Sequence, residues 1–153
     1  MSTREARIEK IVQLRDQRLK LTVRALEEVR LVERRATAEL NVAQSSRQGA
    51  ERERRELAHT GTDIRRFIEA EEWLRARTIE EEICALRLRQ ARAQLDKAQQ
   101  RVKEASIKLR QLELLQERLR RTRLTEENRA ERVLEDEIGQ RAAQSERTRK
   151  GET

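Results

Sequence analysis

The sequence predicts an all-α fold, a long two-helix antiparallel coiled-coil hairpin whose C-terminal helix overhangs the N-terminus. Three observations carry that expectation: composition, a single local break, and an apolar seam of alternating three- and four-residue steps on both sides of the break. Of 153 residues, 42% are charged and about 1% aromatic, with no proline. A globular domain of this length buries roughly two-thirds of its unfolded surface, and 35% apolar content with one Trp, one Phe and no Tyr cannot supply it. An enzyme with a walled pocket is excluded on the same ground. Abundant Ala, Glu, Leu, Arg and Gln instead fit long helices, and the persistent seam separates the chain from charged disordered segments.

The first helix is expected over 4–57. Its seam runs Ile8, Val12, Arg15, Leu19, Thr22, Leu26, Val29, Glu33, Ala36, Leu40, Ala43, Arg47, Ala50, Arg54 and Leu57. Gly49 costs about 1 kcal/mol relative to Ala without forcing a stop. The break is Ala58-His59-Thr60-Gly61-Thr62-Asp63-Ile64, rich in turn and N-cap residues, so a turn is expected at 58–63. A second helix follows over 64–145, on the order of 120 Å long at 1.5 Å per residue. Its seam is Phe67, Ala70, Leu74, Arg77, Glu81, Cys84, Leu88, Ala91, Leu95, Ala98, Val102, Ala105, Leu109, Leu112, Gln116 and Leu119. Residues 146–153 read as a frayed basic tail, and the whole of 1–153 as a single rod-like coiled coil.

Helices this long need a partner. Folding back at the turn makes facing positions sum to 124, which sets Leu40 against Cys84, Ala36 against Leu88, Val29 against Leu95 and Leu26 against Ala98. Large residues meet small ones, as interdigitating layers require. Arg15 opposite Leu109 and Ala43 opposite Glu81 are the weak layers. Parallel dimerisation of one uninterrupted helix stays open at this point. In the folded-back register everything beyond about Arg120 projects as an overhang, opening with the basic run 118–124 and carrying Leu124, Ala130, Val133, Leu134 and Ile138 off the earlier seam.

Chemistry is sparse. His59 lies in the expected turn, far from Cys84, so no Cys-His pair or metal site is suggested, and Cys84 fits the seam as a small apolar residue. Glu80, Glu81 and Glu82 form an acidic run without a desolvating cleft to tune them. No phosphate-binding glycine loop exists, and no cofactor is expected. The single cysteine suits a reducing compartment, and no apolar run reaches transmembrane length, so no direct membrane insertion is expected. A net charge of +7 attracts any acidic partner, but nothing resembles a nucleic-acid module, and no nucleic acid is expected. Phe67 and Trp73 are the only aromatics, six apart, so both cannot face one seam; Trp73 is expected to lean outward as an anchor.

These residues carry a resemblance. The off-centre turn, the segment RFIEAEEWLRA after it (66–76), and LQER (115–118), EENR (126–129), LEDE (134–137) and QRAA (140–143) in that order resemble the FliJ/YscO (SctO) family of flagellar and injectisome type III secretion. The resemblance implies a non-enzymatic central stalk that enters the hexameric type III export ATPase, promotes its assembly and activity, and couples it to the cytoplasmic domain of the export gate. It implies a cytoplasmic location at the base of the apparatus, peripheral to the inner membrane, with export chaperones as a further partner class. By the same resemblance Gln116, Arg118, Glu127, Asn128, Arg129, Asp136, Gln140 and Arg141 match the ATPase-facing segment, and charge adds Arg120, Arg121 and Arg123 of the basic run, which a pore lined by acidic groups would attract. Phe67, Trp73, Leu74 and Arg77 form the gate- or chaperone-facing tip; Arg77 and Glu80 depart from the small or apolar residues of the flagellar relative. A self-associating coiled-coil scaffold is the alternative from another class, and a basic nucleic-acid-binding helical protein a further one.

Overall fold

The computed structural model describes residues 2–61 and 63–151. They form two helices, α1 (Thr3–Thr60) and α2 (Ile64–Gly151), packed as a two-helix coiled-coil hairpin. Contacts divide the chain into two compact units, Gln17–Ser106 and Met1–Asp16 with Ile107–Thr153.

Gln17–Ser106 contains the turn. α1 runs to Thr60, past the expected 57, and Thr60 Oγ1 donates to the Glu56 carbonyl at 3.0 Å. Gly61 follows with φ of 62°, the left-handed conformation that ends helices at little cost only in glycine. Asp63 then caps α2: its Oδ1 accepts from the Arg65 amide at 3.4 Å, and its carbonyl accepts from the Phe67 amide at 3.3 Å. Thr62, in the expected turn, lies outside the described residues.

Within this unit every seam residue from Leu19 to Leu57 and from Phe67 to Ala105 is buried or half-buried. Ala36, Leu88 and Ala91 form one cluster, with Leu40 packed against it. That cluster contains the expected Ala36–Leu88 layer. Ala43, Ala50, Ala70, Cys84 and Ala98 are also buried. Such small residues each remove little surface, so the apolar gain is spread along the seam rather than concentrated in a few large side chains. Charged seam positions are tied across it: Arg47 Nε donates to Glu81 Oε2 while Arg47 Nη1 holds Glu51 at 3.0 Å. Glu81 faces Ala43, one layer from Arg47, so the long guanidinium stem reaches along the seam to meet it. Glu33–Arg92 at 3.7 Å and Arg54–Glu71 at 3.8 Å also cross between the helices.

The other unit opens with a cap that sequence reasoning missed. Ser2 Oγ accepts from the Glu5 amide at 3.2 Å and the Ser2 carbonyl from the Ala6 amide at 3.0 Å. Ser2-Thr3-Arg4-Glu5 has the Ser-x-x-Glu spacing of a capping box. Ile8 and Leu109 are buried, and Val12, Arg15, Leu112, Gln116 and Leu119 half-buried, as the seam series requires. From Leu124 to Gly151 every residue is exposed. α2 continues through 146–151, where the sequence reads as a frayed tail; Arg149 and Lys150 occupy its last turn, where cations complement the negative end of the helix. Met1, Glu152 and Thr153 lie outside the described residues.

Candidate functional site

The tip surface of Gln17–Ser106 is built on the first five turns of α2. Phe67 and Leu74 point into the seam and are half-buried, whereas Trp73 is 52% exposed. The Arg77 guanidinium carbon stands 4.3 Å from the Trp73 ring centroid, and Arg77 Nη1 holds Glu80 Oε2 at 2.7 Å. Arg77 therefore fixes the indole by a cation–π contact while Glu80 fixes Arg77. The departures noted in the sequence thus act together. Trp73 also closes an open groove with Glu53, Leu57, Arg66, Glu69 and Ala70. Two exposed residues of the same turns, on the side of α2 away from Trp73, escaped sequence reasoning: Ile64 and Ile68, 75% and 50% exposed. Their signal was available, since isoleucines four apart and off the seam share one outward face.

The second surface is the overhang of α2. Arg118, Arg120 and Arg121 are exposed, with Arg121 paired to Glu117 at 2.6 Å. Arg123 differs: it is half-buried, with Nε 3.6 Å from Glu5 Oε1 and 3.9 Å from Glu127 Oε1. Gln116 is likewise half-buried, whereas Glu127, Asn128, Arg129, Asp136, Gln140 and Arg141 are exposed. Leu124, Val133, Leu134 and Ile138 are also exposed, at 45–61%. At about 100° per residue, exposed Arg118, Arg120 and Arg121 fall within about 160° of the helix circumference, and Arg123 lies on the other side, against Glu5.

Among the described residues no group of three or more His, Cys, Asp or Glu could hold a metal ion, and Cys84 is buried in the seam. No helix of the described residues is long and apolar enough to cross a membrane. Two helices packed along an apolar seam define a coiled-coil protein. The chain belongs to the FliJ family: residues 4–148 match the family described as Flagellar FliJ protein. It is thereby a flagellar, type III export-related protein, associated with the export apparatus. No curated protein and no solved structure matches the chain.

Proposed function

We propose that the protein is a non-catalytic central stalk of the export apparatus, located in the cytoplasm at the inner-membrane base. Its overhang inserts into the hexameric export ATPase and promotes assembly and activity; the Trp73 surface engages the cytoplasmic domain of the export gate or export chaperones. The observation that carries the reading is the stretch of α2 exposed on every side from Leu124 onward, preceded by exposed Arg118, Arg120 and Arg121 and carrying Leu124, Val133, Leu134 and Ile138 uncovered. A helix exposed around its whole circumference suits a partner that encloses it, and desolvation inside an acidic pore strengthens each arginine pair relative to open water. Arg118, Arg120, Arg121, Glu127, Asn128, Arg129, Asp136, Gln140 and Arg141 are the contact residues of this reading, with Gln116 and Arg123 at its inner edge. The tip contacts are Trp73, Leu74 and Arg77, with Phe67 beneath them.

Co-purification with the export ATPase at moderate salt tests the proposal, using the intact chain and a chain ending at Leu119. The intact chain retains the ATPase and raises its turnover; the shortened chain does neither. Equal retention by both, or none by either, removes the overhang from the mechanism.

A further inference from the structure

Arg123 of the basic run forms an ion pair with α1. Among the described residues Glu5 is the buried charged one, 9% exposed, and its carboxylate lies in the first turn of α1 against Arg123 Nε. The contact is an ion pair without a hydrogen bond: at 3.6 Å to Glu5 and 3.9 Å to Glu127, Arg123 Nε is buried and unmatched by any hydrogen-bond acceptor. A buried donor left in that condition gains by any acceptor that comes within hydrogen-bond distance. Glu5 would not be stranded by losing Arg123, because it stands at the third position of a helix capped by Ser2, where its charge meets the positive helix end. Both partners of the pair thus have somewhere to go. Immediately along α2, Arg118, Arg120 and Arg121 are exposed to an incoming ligand.

We propose that Glu5 is a displaceable clasp on Arg123, and that an acidic protein surface engaging Arg118, Arg120 and Arg121 takes over Arg123 as the first turn of α1 lets go. The inference rests on the stalk reading for the identity of that surface, but the clasp itself is a property of this chain. Occupation of the overhang is thereby coupled to loosening of the N-terminal end of α1.

The test uses the full-length chain, Glu5→Gln, and Glu28→Gln as a control with the same change in net charge at an exposed position of α1. Gln preserves the capping-box spacing, so Glu5→Gln retains its helix start. Two titrations are run at moderate salt, one with poly-L-glutamate and one with the export ATPase, and amide exchange is followed over residues 5–12. Glu5→Gln binds poly-L-glutamate roughly twofold to fivefold more tightly than the Glu28→Gln control, the range an ion pair of this kind withholds. The unsubstituted chain shows faster exchange over 5–12 once either ligand is bound. Equal affinities for Glu5→Gln and the control, with exchange unchanged on binding, overturn the clasp. Failure of the ATPase to bind any of the three chains, alongside the expected poly-L-glutamate result, overturns the stalk reading and leaves the clasp standing.

Discussion

Substituting the same residue pair at two glycines should have opposite effects. Gly61 has φ of 62°, and a Cβ there meets nothing within 4 Å. The cost of Gly61→Ala is therefore conformational alone: about 1–2 kcal/mol for an L-residue held in the left-handed region. Restricting the unfolded chain returns about 0.4–1 kcal/mol, so the net loss is roughly 1 kcal/mol. Gly49 lies inside α1, where a Cβ also meets nothing within 4 Å and the backbone is helical. Gly49→Ala should gain about 1 kcal/mol. The two variants should thus differ by roughly 2 kcal/mol, read as shifts of the urea midpoint at unchanged slope by helix ellipticity. Gly61→Ala as stable as Gly49→Ala would refute the turn, because it would mean that residue 61 is helical and the chain continues through it.

Leu88→Ala removes the largest member of the Ala36–Leu88–Ala91 cluster and should cost about 2–3 kcal/mol, the low end of the buried-leucine range because two helices can close on the gap. Leu31→Ala, 44% exposed, is its control and should stay within about 0.5 kcal/mol by the same denaturation assay. A double-mutant cycle on Arg47 and Glu81, at 29% and 21% side-chain exposure, should give a coupling of about 1 kcal/mol. The exposed Glu117–Arg121 pair, at 51% and 77%, should give about 0.3 kcal/mol. Equal couplings would show that seam burial adds nothing to the first pair.

Periodicity was enough to find the seam, because three-and-four spacing is a direct consequence of 3.6 residues per turn and every position it selected, Arg15, Arg47 and Gln116 included, is at least half-buried. Composition and register together also located the exposed end, whose residues have no α1 left to face. Reach was the illegible part. Arg47 meets Glu81 rather than the residue opposite it, and Glu5 meets Arg123 one layer beyond Leu119, because a guanidinium spans more than one layer spacing. Index matching counts backbones and is blind to that length. The Ser2 cap was overlooked although its Ser-x-x-Glu spelling was present, since the seam begins only at Ile8. At the tip, the pairing of Trp73 with Arg77 four residues on follows helix geometry, but the link from Arg77 to Glu80 depends on rotamers that spacing leaves undetermined.

An apolar seam states that a helix pairs, without stating with what, and two further features of Gln17–Ser106 decide it. The charges that pair across the seam, on it and beside it, are ordered by sign: α1 carries Glu33 and then, nearer the turn, Arg47 and Arg54, while α2 carries Glu71 and Glu81 near the turn and then Arg92. Folding back brings each of these charges to an opposite one. A parallel dimer through the same seam would set the seam residues Glu33, Arg47, Arg54 and Glu81 each against its own copy, a like-charge contact in every case. Phase points the same way. The α1 series ends at Leu57 and the α2 series resumes at Phe67, ten residues on. At about 100° per residue, ten residues fall roughly 80° short of whole turns, so one uninterrupted helix would carry the stripe off its own seam at that point. A turn absorbs the mismatch, and Gly61 with Asp63 provides it. The seam is therefore consumed within the chain, and any partner must use what remains outside it: the Trp73 face near the turn, or the overhang beyond Glu5.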